Sequence, residues 1–300
     1  MLRVSYHGAM SLRRYAFLFS CVWLLADSSV EAGEYVVALD ARPEPGQEIA
    51  HPIAYWTESW TEPRLVVFHV MRVDTRSPEC EIFVLLANDP DGEGPAEAEL
   101  TMPMQLMEEQ KALAAVNASA FRHLGGVSEE EKKRGWFQGK QVDIVGLAAS
   151  DGVVRSLAKK GQSCFWIDAS GQAHVGYPDD PKNIQHGLGD WIQKLIIDGV
   201  VSVKDAAGIH PRTLAGVDST GRYVFLVVAD GRQLSYSVGI SLIEAAQFMK
   251  ELGCTGAVNL DGGGSSIMIS ADEEAKVLNR PSGFLHRPIP VMLGVRKKEQ

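Results

Sequence analysis

Cysteine is scarce in this sequence of 300 residues, which contains only four. No two of them have the C-x-x-C spacing of zinc ribbons and thiol-disulfide oxidoreductases, and the eight histidines are scattered without an H-E-x-x-H motif. The sequence therefore shows no zinc signature. Cys254 stands just before an apolar stretch and is predicted to be a small buried residue.

Basic residues are also fewer than acidic residues. The chain has 29 Lys and Arg against 38 Asp and Glu, which gives a formal net charge of −9 at pH 7. Without residues 1–32, which hold three arginines and two acids, the balance is 26 minus 36, or −10. An acidic body argues against binding of nucleic acid or of an anionic membrane by bulk charge. A phosphate-bearing substrate therefore needs local cations.

The N-terminal region lacks an apolar run long enough to span a bilayer, which takes about 20 residues. Its run from Tyr15 to Ala26 has twelve residues, follows three arginines, and is succeeded by a small-x-small cleavage site ending at Ala32. This pattern predicts a secretory signal peptide over residues 1–32, hence a periplasmic or extracellular protein without stable membrane insertion after cleavage. Export permits one disulfide, for which Cys80 and Cys164 are the candidate pair.

The most unusual stretch is N-L-D-G-G-G-S-S at residues 259–266. Residues 257–261 alternate in polarity, so a strand there places Asn259 and Asp261 on one face. Three glycines follow, and such runs are tolerated where the backbone takes positive φ or lies close to a bound group. Residues 266–270 resemble a second strand. The sequence therefore predicts a strand, glycine turn, strand unit whose N–H groups face an anion.

Three familiar motifs do not fit this stretch. A Walker loop needs Lys after the last glycine and then a helix, and a dinucleotide fingerprint needs G-x-G-x-x-G opening a helix. A nucleophile elbow needs glycine two residues after the serine, where Ile267 follows Ser265. The structural alternative is a glycine hairpin with a capping aspartate. The paired Ser265 and Ser266, with Asn259 on the face of Asp261, favour a functional site.

The N-L-D-G-G-G-S-S string resembles the most specific motif of the phosphodiester glycosidase family, which includes the enzyme that uncovers mannose 6-phosphate by removing a capping N-acetylglucosamine. Further pieces agree in order: N-A-S-A-F at residues 117–121, R-T-L-A-G-V-D at 212–218, N-R-P-S at 279–282 and R-P at 287–288. The resemblance covers about residues 80–296. Ala118 departs from the family, which often has glycine there.

The resemblance and the residues together give a candidate site. The expected catalytic residues are Asp261, Arg212, Asn117 and Asp218. Asp261 is the first carboxylate, Asp218 is the candidate for a second, and Arg212 suits a planar grip on phosphate. Asn117 and Asn259 are expected to hydrogen-bond sugar hydroxyls or an N-acetyl group. The expected substrate-binding residues are Asn259, Gly262, Gly263, Gly264, Ser265, Ser266, Thr213, Gly216, Asn279 and Arg287.

The function that the resemblance implies is hydrolysis of the glycosidic C–O bond of a sugar 1-phosphodiester, similar to an N-acetylglucosamine-1-phosphodiester, in an envelope or extracellular glycan. A departing sugar phosphate, with a second pKa of about 6, hardly needs a general acid. No cofactor is expected to be required, although a divalent cation such as calcium at Asp261 stays open.

Two other functions remain open from the residues alone. A metal-dependent phosphodiesterase would cut the P–O bond and would need a cluster of acids and histidines. A non-catalytic envelope protein that binds polysaccharide would use the glycine turn only to hold an anion.

The periodicity predicts a mixed α+β fold with a largely antiparallel β-sheet core and a few packed helices. Residues 33–79 are expected to form an N-terminal strand-rich segment and residues 80–300 the phosphodiester glycosidase-like domain. Strands over 64–74 and 80–87 are expected to pair with each other across a Ser-Pro turn.

Turn signals predict hairpins over residues 142–154, 165–175, 195–202 and 212–229. The clearest helix starts at the Ser241-x-x-Glu244 capping box and ends before Gly253. It is expected to pack on the sheet and to fix the start of the strand that leads to Asp261.

Overall fold

The computed structural model describes residues 35–299 except residues 45–46, 179, 190–193, 205, 207 and 273. These residues belong to one compact unit, Gly33–Gln300. Both large apolar clusters are formed within this unit, so it has its own core. The predicted signal peptide, residues 1–32, lies outside the described residues. No helix in the described part of the chain is long and apolar enough to cross a membrane.

Strands dominate the fold. In chain order they are β1 (Val36–Ala38), β2 (Ile53–Trp60), β3 (Val66–Asp74), β4 (Cys80–Leu86), β5 (Ala98–Glu99), β6 (Ala112–Asn117), β7 (Phe121–His123), β8 (Gln141–Ile144), β9 (Ala148–Ser150), β10 (Val153–Ser156), β11 (Cys164–Asp168), β12 (Ala173–Gly176), β13 (Ile184–Gly189), β14 (Lys194–Ile197), β15 (Val200–Val201), β16 (Arg212–Asp218), β17 (Tyr223–Ala229), β18 (Cys254–Asn259), β19 (Met268–Ser270), β20 (Lys276–Val277) and β21 (Val291–Lys297).

The helices are few and short. They are α1 (Pro103–Glu109), α2 (Glu129–Lys133) and α3 (Leu242–Glu251), with 3₁₀ turns at Pro181–Asn183 and Gly263–Ser265. The expected antiparallel β core is present, but the protein is more β-rich than the predicted α+β class implies. The reason lies in the middle of the chain, where the described residues between 141 and 201 form strands and one 3₁₀ turn but no α-helix.

The largest sheet has the strand order β1-β2-β3-β17-β16-β18-β14-β15. Strand β16 pairs antiparallel with both β17 and β18, with Arg212 opposite Ala229 and Leu214 opposite Asn259. The start of β16 and the ends of β17 and β18 therefore lie at the same edge of this sheet. Residues that follow those ends meet there, which is how the fold assembles the site.

A second sheet, with the order β20-β19-β6-β21-β4, packs against the first. Their shared apolar cluster combines residues of the large sheet, such as Leu226 and Val258, with residues of the second, such as Val116 and Leu293. The chain leaves the large sheet at the end of β18 and enters the second sheet at β19. The glycine turn, residues 262–264, therefore bridges two packed sheets.

The expected pairing of the strands over 64–74 and 80–87 is wrong. Strand β3 pairs with β2 and β17, whereas β4 pairs with β21 in the other sheet. Nearly every residue of both strands is buried. Strands that are buried on both faces show no alternation of polar and apolar residues that would indicate which strands they pair with. The short turn between them therefore looks like a hairpin turn in the sequence.

The remaining sheets have the orders β10-β9-β13-β11-β12 and β5-β8-β7. The hairpins predicted around residues 151, 171, 198 and 220 are present as β9–β10, β11–β12, β14–β15 and β16–β17. The candidate disulfide is not formed, because Cys80 is a buried free thiol. Cys80 begins β4 while Cys164 begins β11 in a different sheet. Cys254 is buried as predicted.

Helix α3 follows the sequence signals closely. Ser241 and Glu244 form the predicted capping box, and Gly253 follows the last turn with a φ of +93°. The buried face of the helix, which includes Phe248 and Met249, packs in the apolar cluster on the outer side of the large sheet, together with Leu214 and Ala257. This contact fixes β16 and β18 and hence the position of their ends.

Candidate active site

The glycine turn has the predicted place between two strands, and its first two glycines are required by the backbone. A Cβ built at Gly262 would lie 2.7 Å from the carbonyl oxygen of Pro211, which leaves no room for a side chain. Gly263 has a φ of +64°, a conformation that favours glycine. At Gly264 a Cβ would lie 2.5 Å from Nη2 of Arg287, so this guanidinium lies directly against the turn.

Most N–H groups of the turn are engaged within the protein. Gly263 N–H donates to Pro211, Ser265 N–H to Gly262, and Ser266 N–H to Gly263. Gly262 N–H donates to Oδ1 of Asp261 at 2.9 Å. The turn therefore does not offer the row of N–H groups that the sequence suggested for an anion. Side-chain cations take that position instead.

Asp261 is held at the start of the turn with its carboxylate only partly enclosed by donors. Its own N–H donates to the carbonyl of Ala118 at 2.8 Å. Burial raises the pKa of Asp261, while the Ser265 hydroxyl, the Arg287 charge and the Gly262 N–H oppose that rise. A carboxyl group with a raised pKa beside a guanidinium is suited to proton transfer.

Asn117 is buried at the end of β6 and connects the two sheets. Its Nδ2 donates to the carbonyl of Asp261 at 2.7 Å. Its Oδ1 accepts from Thr213 Oγ1 at 2.6 Å and from the N–H of Ile267 at 3.1 Å. The predicted convergence of Asn117, Thr213 and Asp261 is therefore present. These contacts make Asn117 and Thr213 part of the frame that positions Asp261.

Arg212 begins β16 and is buried below the turn. Its Nε donates to the carbonyl of Ile240 at 3.0 Å, and its Nη2 donates to that of Gly208 at 2.8 Å. Its Nη1 donates to Oδ1 of Asn259 at 3.3 Å. Nδ2 of Asn259 donates to the carbonyl of Leu260 at 3.0 Å. Arg212 and Asn259 thus meet as expected, and together they fix the end of β18.

Two further arginines lie at the turn. Arg287, which the sequence predicted, donates from Nη1 to Ser265 Oγ at 3.2 Å. Arg232, which the sequence analysis missed, places Nη2 3.0 Å from a Cβ built at Gly263. Burial, and then the nearby charges of Arg212 and Arg232, lower the pKa of His210. The turn thus has the local cations that an acidic chain needs for a phosphate ligand.

Asp230, at the end of β17, is a second missed residue. It is buried, and its carboxylate accepts hydrogen bonds from four donors: His69 Nε2 (3.1 Å), Tyr236 OH (3.2 Å), Asn279 Nδ2 (2.9 Å) and Arg280 N–H (2.9 Å). Burial and this carboxylate raise the pKa of Tyr236 to about 12, so the phenol remains a donor. The available signal was its place as the first polar residue after a buried strand.

Asn279 joins Asp230 to the second half of the turn. Its Nδ2 also approaches the carbonyl of Ser266 at 3.3 Å, and its Oδ1 accepts from the N–H of Met268 at 2.8 Å. Ser266 is buried, and its Oγ has no hydrogen-bond partner in the described part of the chain. Asn279 therefore supports the turn from behind, and its role in substrate binding stays a prediction.

Asp218 and Gly216 do not lie at the turn. Asp218 ends β16, about 20 Å from Arg212 at the other end of the strand. Its Oδ1 accepts from Tyr223 N–H at 3.0 Å and its Oδ2 from Thr220 Oγ1 at 2.7 Å, so it closes the hairpin. A Cβ at Gly216 would lie 2.5 Å from Cε of Met249, so this glycine makes room for α3. Both residues have structural roles, because the length of β16 holds them away from the glycine turn at its other end.

No metal site accompanies Asp261 among the residues that the structure describes. There, no three His, Cys, Asp or Glu side chains are grouped so that they could hold a metal ion. Asp218 lies at the far end of β16, and Asp230 is occupied by its own donors. A cation bound at Asp261 remains a prediction that rests on this one carboxylate.

Comparisons with known proteins identify the family and the fold. The sequence profile of the family described as phosphodiester glycosidase matches residues 110–296. The SPbeta prophage-derived uncharacterized protein YomE of Bacillus subtilis (strain 168) is 26% identical over 189 residues, which are 62% of this chain and 28% of that protein. This chain therefore matches less than a third of that relative's length.

Among the solved structures that match, three illustrate the shared fold. The catalytic domain of zebrafish N-acetylglucosamine-1-phosphodiester alpha-N-acetylglucosaminidase, auto-inhibited by its pro-peptide, matches with a TM-score of 0.61 and 19% identity over 82% of this chain and 83% of that one. A hypothetical protein from Synechocystis matches with a TM-score of 0.56 and 15% identity, over 82% and 64% of the chains. A Burkholderia pseudomallei K96243 protein described as exported matches with a TM-score of 0.54 and 17% identity, over 77% of this chain and 74% of that one.

Proposed function

We propose, since this chain belongs to the phosphodiester glycosidase family, that it hydrolyses the glycosidic C–O bond of a sugar 1-phosphodiester. The observation that carries the proposal is the position of Asp261, whose pKa burial raises, beside the guanidinium of Arg287. Arg232 and Arg212 add positive charge at the same turn. One carboxylate and several cations suit a neutral sugar joined to an anionic phosphate.

A single carboxylate is sufficient for this substrate class. Glycoside hydrolysis usually uses two carboxylates, one of which protonates the leaving group. Asp218 and Asp230 are both committed to structural hydrogen bonds. A phosphate leaving group has a second pKa of about 6 and needs little protonation. Donors placed where negative charge develops supply the remaining stabilisation.

The proposed reaction proceeds at the anomeric carbon. A water oxygen forms the new bond to that carbon while the bond to the phosphate oxygen breaks, and the electron pair leaves with the phosphate. The carboxylate of Asp261 accepts the proton of the attacking water. Arg287 and Arg232 stabilise the departing phosphate. The products are a free sugar and a phosphomonoester.

The proposed substrate is similar to an N-acetylglucosamine-1-phosphodiester in an envelope or extracellular glycan. The name of the zebrafish enzyme supports N-acetylglucosamine as the sugar, and the likeness to a Burkholderia protein described as exported supports a location in the envelope or outside the cell. We also propose cleavage after residue 32, with residues 80–300 as the catalytic domain. The strands of residues 33–79 would complete its large sheet.

The proposal is tested by incubating Gly33–Gln300 with methyl diesters of several sugar 1-phosphates, with and without a chelator, and measuring free sugar. We expect turnover of the N-acetylglucosamine diester that persists in the chelator, because the proposed steps use protein side chains. Turnover that requires added metal and yields a sugar phosphate would instead indicate a phosphodiesterase. Saturable binding of a polysaccharide without any turnover would indicate a binding protein.

A further inference from the structure

Two surface loops form a rim beside the glycine turn. We define the rim as residues 232–234 and 280–287. The loops are joined by Gln233, whose Nε2 donates to the carbonyl of Arg280 at 2.8 Å. The second loop is tied to the turn by Ser282 Oγ, 3.4 Å from the Gly263 carbonyl, and by Arg287 on Ser265. The rim therefore borders the candidate active site.

The rim exposes large apolar side chains. Phe284 is fully exposed, Leu234 is 85% exposed and Leu285 is 77% exposed. Single exposed apolar residues are normal on a protein surface, but contiguous ones mark an interaction site. Each of these three lies within three residues of a contact that ties a loop to its neighbour or to the turn. The three exposed apolar side chains thus belong to the same two tied loops.

The same rim is basic. Its charged residues are Arg232, Arg280 and Arg287, with His286 beside them, and it contains no acid. The nearest acid in the sequence, Asp230, is buried and occupied by its donors. The whole chain has a net charge of −9, but charges are screened over about 8 Å at physiological salt. At contact distance the rim is therefore positive.

Exposed Phe and Leu side chains flanked by arginines match the interface of an anionic bilayer. The apolar groups enter the boundary between headgroups and acyl chains, and the exposed guanidinium of Arg280 pairs with lipid phosphates while Arg232 and Arg287 stay at the turn. We propose that the rim docks on an anionic lipid membrane and places the active site at its surface. The consequence that the substrate is a membrane-held sugar phosphodiester rests on the proposed function; the docking itself does not.

The docking is tested by flotation of Gly33–Gln300 with vesicles of phosphatidylcholine and phosphatidylglycerol at 7:3. We expect binding that falls at least about tenfold in the triple variant Leu234→Ser, Phe284→Ser, Leu285→Ser, because the apolar insertion is lost. The control Leu157→Ser removes a side chain that is 70% exposed just after the end of β10, in another sheet, and should bind as the parent does. Vesicles of phosphatidylcholine alone, and added salt, should weaken binding of the parent.

Equal binding by the parent and the triple variant, or no binding to the anionic vesicles, would overturn the docking proposal. A second assay compares hydrolysis of a water-soluble methyl diester with that of a long-chain alkyl diester in the same vesicles. The triple variant should keep the first rate and lose most of the second. Loss of the soluble rate in a folded variant would show that the rim contacts the sugar and would contradict docking. If neither diester is hydrolysed, the proposed function fails while flotation still decides the docking.

Discussion

Two aspartates of this protein follow the same local pattern and have different surroundings. Asp261 and Asp230 each come after a buried strand of the large sheet and each precede a glycine. Asp230 accepts four hydrogen bonds from side chains and backbone. Asp261 accepts bonds from Gly262 and Ser265, while burial raises its pKa.

The two aspartates differ in the number of hydrogen-bond donors around the carboxylate, and this number distinguishes a structural aspartate from one that can take part in a reaction. Asp230 is buried and held by four donors, three of them on Oδ2 and one on Oδ1, so its hydrogen bonds serve the fold. A carboxylate with few donors in a buried setting keeps both a free oxygen and a raised proton affinity. Asp230 therefore holds the loops together, and Asp261 is the group that can exchange a proton.

The largest expected effect is on activity. Asp261→Asn keeps the hydrogen bond from Gly262 but cannot accept a proton, so kcat should fall by about 10³-fold. The circular dichroism spectrum should match that of the parent, and the unfolding temperature should not fall below it. A folded Asp261→Asn protein with more than a tenth of the parental kcat would contradict the role of this carboxylate.

The second effect is on stability and concerns the other aspartate. Asp230→Ala leaves buried donors of His69, Tyr236 and Asn279 without an acceptor and should lower the free energy of unfolding by about 3–5 kcal/mol. Urea unfolding measures this loss. Asp261→Ala is the matched control and should cost less than about 1 kcal/mol. Equal losses in the two variants would remove the distinction between the two sites.

How far the sequence predicts these sites depends on the range of the interaction. The glycine turn, the capping box of α3 and the hairpins are set by neighbouring residues and were predicted. The meeting of Asn117, Arg212 and Asp261 followed from the resemblance, since these residues are far apart in the chain. Arg232 was missed because its approach to Gly263 depends on the order of strands in the sheet.

The error at Asp218 has a simple geometric cause. Arg212 and Asp218 are six positions apart, which looks close in the sequence. An extended strand converts that spacing into about 20 Å, and the register places Asp218 opposite Cys254, at the start of β18. The turn that holds Asp261 lies beyond the other end of β18. Sequence proximity within a strand therefore argues against a shared site.

The third expected effect is a pH dependence of stability. Because the folded-state pKa of Asp261 is raised, the folded protein binds a proton more tightly than the unfolded chain does. Its contribution is most favourable below the ordinary carboxylate pKa and is lost as the pH rises through the raised value. Asp261→Asn should thus gain stability relative to the parent at pH 7, by about 1.4 kcal/mol for every pH unit between the two pKa values.

Thermal unfolding of the parent and Asp261→Asn between pH 3 and pH 8 measures this difference. Plotted against pH, the unfolding temperatures of the two proteins should converge in acid and separate toward neutral pH, where the variant should have the higher value. A variant that loses stability as the pH rises would show that the charged carboxylate is stabilised by the fold, contrary to the raised pKa.

The smallest effect is expected at the far end of β16. Asp218→Asn retains one acceptor for Tyr223 N–H or Thr220 Oγ1 and should lower the free energy of unfolding by about 1 kcal/mol or less. Its kcat/KM should stay within about twofold of the parent. A loss comparable to that of Asp261→Asn would restore Asp218 as a catalytic carboxylate.

The most direct measurement for the account as a whole is the position of bond cleavage. The N-acetylglucosamine 1-phosphate methyl diester is hydrolysed by Gly33–Gln300 in ¹⁸O-enriched water, and the products are analysed by mass spectrometry. Water attack at the anomeric carbon, assisted by Asp261, predicts one heavy oxygen on the sugar and none on the phosphate. Heavy oxygen on the phosphate would mean cleavage of the P–O bond and would contradict the glycosidase assignment.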